Sequence, residues 1–545
     1  MKIDKYIPIL RLLALCLVPV FSFASNIKIE IERPVIPVLV SKQINPTIKI
    51  RLTRADSEPY VVQQISLDLL GTTELSDIAS LAIYGDTREG LIDPEQIVCQ
   101  PLPVANNIVF DTSIKVDADT FSLWVSVTLK QQVSLDHRIQ VNCRQIKTTS
   151  GNFRVRNSIN FPLRVGVAVR QRGQDGVVSS RIPGLATTNN GTLLAIFDAR
   201  YDSRRDLQGN IDIALHKSTD RGMTWSPMQT VLDMGEWGGL PQKYNGVSDA
   251  CILVDKNTND IYVAGLWMHG VLDENGKWRE GLTEDSDYWM HQWKQKGSQP
   301  GFGIKETCQF LITKSVDEGN TWSFPDNITQ KTKKNEWWLL APAPGRGITL
   351  SDGTLLFPTQ GRDKDGIPYS NITYSKDNGL TWNTSNPAYS DVTECNAVQL
   401  ETGEIMLNMR DNRNRGTLKG NGRRICVTSD LGKTWMEHST SRKALLEPTC
   451  MGSLHKHEYT KNGIKRSIML FANPNNYDRR DKMTLKVSYD DGMTWPDEHW
   501  ILFDQYKSSG YSSITSIDEN SIGIFYESSQ AELAFIKINL DELLK

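Results

Sequence analysis

The sequence predicts an all-β protein, with a β-propeller that follows a β-sandwich-like domain. An eight-residue pattern occurs five times between residues 218 and 495, and strand-like runs of apolar residues precede its copies. Neither helical heptads nor alternating strand and helix segments are evident, so the chain falls outside the α and α/β classes. A pattern repeated at a long period is typical of architectures in which each unit buries its face against the next.

The repeated pattern has the consensus S/T-x-D-x-G-x-T-W, and chance cannot produce five copies of it. Its copies lie at residues 218–225, 315–322, 375–382, 428–435 and 488–495. Aspartate accepts hydrogen bonds from backbone N–H groups of a turn, and glycine supplies the positive φ that a reversal needs. Tryptophan is a large apolar body suited to packing between neighbouring sheets. Each copy therefore predicts a strand followed by a turn.

The spacing of the copies suits propeller blades of four short strands. Successive motif tryptophans after the second copy are 53–60 residues apart, whereas 97 residues separate Trp225 from Trp322. The excess in this first interval falls on residues 235–303, which are rich in glycine, tryptophan and charge. We expect long loops there, over a binding face.

Composition and charge bound the class of protein. The chain has 545 residues, of which 39% are hydrophobic and 23% charged, as in a soluble globular protein of more than one domain. Its net charge of −3, without a basic block, argues against a nucleic-acid partner. We predict three segments: a signal peptide at residues 1–24, an N-terminal β domain at residues 25–160 and the β-propeller at residues 161–545.

Residues 1–24 have the pattern of a secretory signal peptide. Lys2 and Lys5 precede an apolar stretch at residues 12–23, and Ser22 and Ala24 are small residues placed for cleavage after position 24. A lipoprotein signal at Cys16 is the weaker alternative. The stretch is too short for a spanning helix, so we expect an exported, periplasmic or extracellular protein without stable membrane insertion.

Seven cysteines remain after residue 24, and none forms a close C-x-x-C pair typical of zinc or redox sites. Cys99 and Cys143 lie in one region and could form a disulfide, while the odd count leaves at least one free thiol. We expect the others to be buried small hydrophobic residues.

Residues 25–160 lack the repeated motif but contain alternating strand-like runs at 27–31, 47–51 and 120–128. This alternation predicts an antiparallel β-sandwich. A carbohydrate-binding role and a purely structural role are both open for this domain.

The repeated motif resembles the Asp box of the sialidase superfamily, and a second motif strengthens the resemblance. The run Ser180-Arg181-Ile182-Pro183-Gly184-Leu185 is similar to the family's Arg-Ile-Pro motif. The resemblance extends over about residues 162 to 540. It implies a six-bladed β-propeller in which the Asp boxes lie on outer turns, away from the active site.

The resemblance implies three arginines that hold the carboxylate of sialic acid, which are Arg181, Arg410 and Arg480. Arginine suits this task because its planar fork binds a carboxylate through two hydrogen bonds. The neighbouring Arg479 leaves the third assignment open by one residue, although the spacing Arg-x-x-Met-Thr favours Arg480.

The anomeric carbon of sialic acid carries a carboxylate, which would repel an anionic nucleophile, so a neutral nucleophile with its own base is needed. The resemblance implies Tyr511 as the nucleophile and Glu394 as its base. A free phenol has a pKa of about 10, and we expect the arginines to favour the phenolate. The implied acid/base residue is Asp206, with Asp202 as the main competitor and Asp198 less favoured on its strand.

Further candidates for contacts to the substrate are Arg200, Asp249, Trp267 and Gln309, the last three assigned to the arms of the sugar. The resemblance thus implies an exo-α-sialidase that hydrolyses terminal sialic acids from glycans with retention, as a monomer and without metal or organic cofactor. The alternatives are a trans-sialidase, an enzyme for a related nonulosonic acid, and a non-catalytic glycan-binding propeller, which would lack part of the six-residue set.

Overall fold

The computed structural model describes residues 27–54, 58–87, 89–105, 107–155, 161–206, 209–239, 241–270, 291, 298–417 and 419–544. The predicted signal peptide at residues 1–24 lies outside this part of the chain. The chain divides into two compact units, Met1–Val133 with His137–Val165, and Ser134–Asp136 with Gly166–Lys545. Within the described residues no helix has both the length and the apolar character needed to cross a membrane.

The first unit is a pair of antiparallel sheets. Its strands are β1 (Ile27–Glu32), β2 (Val38–Val40), β3 (Asn45–Arg54), β4 (Tyr60–Asp68), β5 (Ile78–Asp86), β6 (Ile92–Pro103), β7 (Ile108–Val116), β8 (Thr120–Leu129), β9 (Arg138–Ile139), β10 (Asn142–Thr148) and β11 (Gly151–Arg154). One sheet has the order β1-β3-β8-β5-β6 and the other β11-β10-β4-β7. On β3 the apolar side chains of Ile48, Ile50 and Leu52 recur at every second position and are buried.

Cys99 and Cys143 belong to different sheets of this unit, on β6 and β10, and both are free thiols. The structure therefore does not contain the disulfide that these two cysteines could have formed. Burial raises the pKa of the Cys143 thiol to about 12, as expected for a small hydrophobic core residue.

The second unit contains six successive groups of antiparallel strands. The strands are β12 (Leu163–Arg170), β13 (Ser179–Thr187), β14 (Leu193–Arg200), β15 (Ile211–Ser218), β16 (Gln229–Leu232), β17 (Asn245–Val254), β18 (Ile261–His269), β19 (Gln309–Ser315), β20 (Asp326–Asn327), β21 (Leu339–Pro342), β22 (Gly345–Arg346), β23 (Ile348–Thr349), β24 (Leu355–Arg362), β25 (Pro368–Ser375), β26 (Asn383–Thr384), β27 (Tyr389–Ser390), β28 (Val392–Gln399), β29 (Ile405–Asp411), β30 (Arg424–Thr428), β31 (Met436–Glu437), β32 (Ser453–Lys461), β33 (Ile464–Pro474), β34 (Met483–Ser488), β35 (Ile501–Asp504), β36 (Ser512–Asp518), β37 (Ser521–Tyr526) and β38 (Leu533–Asn539).

Helical segments are few and short. The α-helices are α1 (Thr329–Thr332) and α2 (Leu540–Leu543), and the 3₁₀ turns are Leu75–Asp77, Gln174–Gly176, Gln242–Tyr244, Asn412–Asn414 and Asp497–His499. The predicted all-β class is confirmed.

The six groups contact one another in a closed cycle. The first strand of one group lies against the next, from β13 to β17 and onward to β36, which contacts β13 again. In the last group β12 pairs with β38, and β37 and β36 follow in order, so its fourth strand comes from the start of the unit. Pairing of Gly166 with Ile536 thereby joins the two ends of the chain segment. The predicted six-bladed propeller would require such a closed cycle of six strand groups.

The repeated motif forms the turn between the third and fourth strands of the first five groups. In the fourth copy the Asp430 carboxylate accepts hydrogen bonds from Thr434 N (3.0 Å), Thr434 Oγ1 (2.7 Å) and Thr428 Oγ1 (2.8 Å). The sixth group lacks the motif because its fourth strand is β12, which arrives from elsewhere in the sequence. This is why six groups of strands contain only five copies of the motif.

The motif tryptophans pack against a neighbouring sheet. Trp225 of the first group lies 5.2 Å from Phe535 and 6.4 Å from Phe525 between ring centroids, and both phenylalanines belong to the sixth group. Gly222 has a φ of 89°, and a Cβ there would meet the ring of Phe535. The turn therefore needs glycine both for its conformation and for close approach to the next sheet.

The motif aspartates predict a pH-dependent contribution to stability. Hydrogen bonds from Thr434 and Thr428 lower the pKa of Asp430 to about 2, so the stabilisation is present above the ordinary carboxyl pKa and is lost as pH falls towards about 2. Asp430→Asn should lower the thermal unfolding midpoint by a few degrees at neutral pH, with a smaller difference at pH values below about 4.

Differential scanning fluorimetry across this pH range checks the effect. Asp365→Asn is a matched control, because Asp365 is an exposed turn residue whose carboxylate pairs with Lys364. An Asp430 effect that persists unchanged at the lowest pH would show that these hydrogen bonds do not carry it.

Candidate active site

The predicted catalytic residues gather because antiparallel strands bring the start of one strand and the end of the next to the same sheet edge. Arg181 lies near the start of β13, opposite Asp198 near the end of β14. Glu394 lies near the start of β28, and Arg410 near the end of β29. Tyr511 directly precedes β36. The motif turns follow the ends of third strands, so they lie at the opposite sheet edge.

Residues with a left-handed backbone conformation, that is a positive φ, bend the chain within or just before the first strands of their groups. Ile182 has a φ of 59°, Asp249 of 54° and Thr449 of 53°, all rare for residues with a side chain. The bend at Ile182 coincides with a shift of pairing register between Arg181 and Gly184. Such strain persists where surrounding packing holds it and is typical of functional sites.

Gly510 has a φ of 90° and lies in close contact with neighbouring residues of the site. A Cβ at this position would lie 3.0 Å from Cys450 Sγ and 3.2 Å from Arg480 Cβ. Glycine therefore lets Tyr511 and Arg480 pack side by side. Ile182, Cys450 and Met451 form the buried apolar floor with Tyr511.

Tyr511, Glu394 and Arg410 form one hydrogen-bonded group. The Tyr511 hydroxyl donates to Glu394 Oε1, while Arg410 Nη1 donates to Glu394 Oε2 (2.6 Å) and to Tyr511 Oη (3.1 Å). Tyr511 is 6% exposed and Glu394 is 8% exposed, so the pair is shielded from water. A carboxylate held in this way can accept the phenol proton without any rearrangement.

Arg181 is held by a carboxylate that sequence reasoning missed. Glu527 Oε1 accepts from Arg181 Nε (2.5 Å) and from the backbone N–H of Ile182 (3.2 Å), and its Oε2 accepts from the backbone N–H of Tyr511 (2.9 Å). One buried side chain therefore positions both the arginine and the tyrosine. The available signal was its place directly after β37, the second strand of its group, just as Arg200 ends β14, the second strand of the first group.

Arg480, and not Arg479, faces the site. Its guanidinium donates to the carbonyl oxygens of Ser509 (2.9 Å) and Thr449 (3.2 Å) and lies 5.6 Å from the centroid of the Tyr511 ring. Arg181 approaches the same ring, also at 5.6 Å. Arg479 is 64% exposed in its side chain and pairs with Asp481. All three predicted arginines thus converge on Tyr511.

Asp206 lies at the rim of this group, whereas its competitor Asp202 shapes the loop. Asp206 Oδ1 lies 2.7 Å from Arg200 Nη1 and 3.8 Å from Arg181 Nη1, and its side chain is 69% exposed. Asp202 accepts from the backbone N–H of Asn210 (2.8 Å), which closes the loop. Burial by itself would raise the pKa of Asp206, but Arg200 and Arg181 hold it below its ordinary value.

The resting protonation state of Tyr511 differs from our expectation. Burial, with Glu394 next in effect, raises the pKa of the Tyr511 phenol well above its ordinary value, against the opposite influence of Arg410 and Arg480. The arginines therefore do not produce a resting phenolate. The phenol keeps its proton and donates it in the hydrogen bond to Glu394.

The four further candidates for substrate contact differ in where the structure places their side chains. Arg200 is 1% exposed and lies beneath Asp206. Asp249 is buried and accepts from Gln360 Nε2 (3.0 Å); burial, Glu394 and Asp198 raise its pKa well above its ordinary value. Asp249 therefore belongs to the wall of the site.

Trp267 and Gln309 do not present a surface to a sugar, which corrects the prediction for both. Trp267 is fully buried in an apolar cluster, with its ring 4.8 Å from that of Trp237. Gln309 is 1% exposed, and its amide is engaged with Thr307 O (2.6 Å) and Asn327 Nδ2 (2.9 Å). Both side chains pack the second group of strands.

The geometry defines a class of site. Three guanidinium groups around a buried phenol and carboxylate can hold an anionic group of a ligand beside a phenol whose proton acceptor is already in contact. An exposed carboxyl at the rim can exchange protons with a leaving group. These parts belong to a glycoside hydrolase that acts on an acidic sugar.

Comparison with known protein families identifies the family to which the chain belongs. A family described as the BNR repeat-like domain matches residues 182–516, and one described as the N-terminal domain of BNR-repeat neuraminidase matches residues 26–152. A sialidase of Bacteroides fragilis (strain YCH46) is 37% identical over 97% of this chain and 98% of its own length. The chain belongs to the sialidase family.

Solved structures agree with this membership. The Hadza microbial sialidase Hz136 matches with a TM-score of 0.84 at 35% identity, over 94% of this chain and 99% of its own. A Trypanosoma rangeli sialidase matches with a TM-score of 0.52 at 22% identity, over 70% of this chain and 60% of its own, which shows a shared fold.

Substitution of Glu527 should lower activity, although this side chain does not contact the reacting atoms. In Glu527→Gln the charge that holds Arg181 is removed, so the arginine and Tyr511 lose their fixed positions. We expect kcat/KM on a 4-methylumbelliferyl sialoside to fall about 100-fold, as for a displacement of about 1 Å.

Steady-state kinetics with a thermal-unfolding check measures this effect. The matched control is Glu532→Gln on the same loop, because Glu532 accepts from the backbone N–H of Ser180 (2.7 Å), which a glutamine oxygen can still do. Equal losses in the two variants would contradict a specific role for Glu527.

Proposed function

We propose that this sialidase removes terminal sialic acids from glycans with retention of configuration, through a covalent intermediate on Tyr511. In this proposal Arg181, Arg410 and Arg480 bind the sugar carboxylate. Glu394 is the base for Tyr511, and Asp206 is the acid and base for the departing glycan and the incoming water.

The observation that carries the proposal is the hydrogen bond from Tyr511 to Glu394 amid the three arginines. A phenol is neutral, so it can approach an anomeric carbon that bears a carboxylate, which an aspartate or glutamate could not do readily. The proton of the phenol has an acceptor already in contact. The alternative of a non-catalytic propeller offers no use for this pair.

In the first displacement Tyr511 Oη attacks the anomeric carbon as its proton passes to Glu394. The bond from the anomeric carbon to the glycosidic oxygen breaks, and Asp206 donates a proton to that oxygen. The raised pKa of Tyr511 means that proton transfer must accompany bond formation.

In the second displacement Asp206, now ionised, takes a proton from water. The water oxygen bonds to the anomeric carbon, the bond to Tyr511 breaks, and the phenolate regains its proton from Glu394. Two inversions give net retention, and every proton returns to its first position.

Substrate binding itself helps to protonate Asp206. In the free enzyme Arg200 and Arg181 favour the ionised form of Asp206. A substrate carboxylate on Arg181 adds a negative charge nearby and reduces this influence, so the proton affinity of Asp206 rises in the complex. The acid function is thus coupled to occupation of the arginines.

The test of the nucleophile is Tyr511→Phe. It removes the attacking oxygen and leaves the ring, so turnover of a 4-methylumbelliferyl sialoside should fall by about three orders of magnitude or more. The matched control is Tyr526→Phe, since the buried Tyr526 hydroxyl donates to Asp504 (3.2 Å) away from the site. Turnover that survives in the Tyr511 variant would reject Tyr511 as the nucleophile.

The stereochemical outcome is tested by proton NMR of the first sugar released. Retention predicts that the α anomer appears before mutarotation, and prior appearance of the β anomer would refute the double displacement. The same reaction with lactose present distinguishes hydrolysis from transfer, because a trans-sialidase would form sialyllactose in preference to free sugar.

The sequence at residues 1–24 supports the further proposal that the enzyme is exported, where sialylated glycans are accessible. Residues 25–160 and 161–545 would then form its two mature domains. A monomer remains our prediction for the exported enzyme.

A further inference from the structure

The buried carboxylate of Asp198 lies close to the site and has no role in the proposed mechanism. It lies two residues before Arg200 on β14, so both side chains lie on the same face of the strand. Asp198 is 0% exposed and Arg200 is 1% exposed. A charge buried this deeply is destabilising unless it has a specific partner.

Arg200 joins Asp198 to the candidate acid. Its Nη2 donates to Asp198 Oδ2 (3.0 Å), and its Nη1 donates to Asp206 Oδ1 (2.7 Å) and to the carbonyl oxygen of Arg204 (3.1 Å). The guanidinium therefore bridges a buried carboxylate and an exposed one. A planar fork fixed at one end holds its other end in a fixed direction.

Asp198 is itself held in place from the neighbouring strand. Ser248 Oγ on β17 donates to the same oxygen, Asp198 Oδ2 (2.5 Å). Asp198 Oδ1 is buried without a hydrogen-bond partner among the described residues. Among the described residues, the hydrogen bonds to Asp198 therefore fall on Oδ2 alone, from Arg200 and Ser248.

We propose that Asp198 is a positioning residue that anchors Arg200 from beneath and offsets its charge, which orients Asp206 and keeps it able to carry the proton for the leaving glycan. This inference rests on the proposed role of Asp206. Two carboxylates then share one guanidinium, so the negative charge on one favours protonation of the other.

The charged groups around Asp198 come from three strands. Arg200 and Asp206 belong to β14 and its following loop, Asp249 to β17, and Arg181 to β13, from which it reaches Asp206. Burial raises the pKa of Asp198 to about 6, against Arg200 and Ser248. Above this pH Asp198 is ionised and offsets the charge of Arg200.

The test is the pH dependence of kcat/KM on 3′-sialyllactose, whose sugar leaving group needs protonation. Asp198→Asn keeps the shape and removes the charge. We expect its alkaline limb to move about one pH unit lower, with kcat/KM at neutral pH about 10-fold lower. On a 4-methylumbelliferyl sialoside, which has a better leaving group, the loss should be about 3-fold or less.

Two further variants separate charge from structure. Ser248→Ala removes the hydrogen bond to Asp198 but not its charge, so the alkaline limb should keep its position. Arg200→Gln removes the cation, so the limb should move to higher pH, and this opposite shift tests the proposal even if Asp198→Asn does not fold. An unchanged limb in both charge variants, with equal losses on both substrates, would overturn the proposal.

Asp206→Asn distinguishes failure of this inference from failure of the proposed function. A large loss on sialyllactose with a small loss on the aryl sialoside supports Asp206 as the acid, and an unchanged limb in folded Asp198→Asn then rejects Asp198 alone. Equal losses of Asp206→Asn on the two substrates would reject Asp206 as the acid, and with it the role of Asp198.

Discussion

The convergence of positive charge on one buried tyrosine is the constraint on which the rest of the site depends. Guanidinium groups gathered in a shielded space repel one another, and each is costly to bury without a counter-charge. Glu394 compensates Arg410, and Glu527 compensates Arg181. Arg480 is held by carbonyl oxygens of Ser509 and Thr449, so its full charge remains for an anionic ligand.

A second buried ion pair supports this arrangement from behind. Arg423 and Glu447 are both 0% exposed in their side chains and lie 2.7 Å apart. Glu447 also accepts from the backbone N–H of Asp411 (2.8 Å), and Arg423 donates to the carbonyl oxygen of Cys450 (2.8 Å). The pair thus ties the end of β29, which carries Arg410, to the segment that holds Arg480. Loss of either partner from such a pair costs about 3–5 kcal/mol.

Much of the site was predictable because local motifs resemble those of the sialidase family, and this resemblance implied the site residues one by one. Arg181, Arg410, Glu394 and Tyr511 meet as predicted, and Arg480 was preferred over Arg479 from local spacing. Glu527 was missed because a glutamate after a strand has no distinctive local pattern. Trp267 and Gln309 were misplaced because a strand pattern does not reveal which of its side chains becomes enclosed by the next sheet.

The sequence by itself determined the local structure. The five motif turns follow from hydrogen bonds and φ values within eight residues, and strand alternation predicted the all-β class. Tertiary structure alone decided which distant residues touch, because Glu394 and Tyr511 are 117 positions apart and meet only when the cycle of sheets closes. It also decided the proton on Tyr511 and the deep burial of Asp198 and Arg200. Burial and the sum of neighbouring charges set these properties, and both depend on the whole fold.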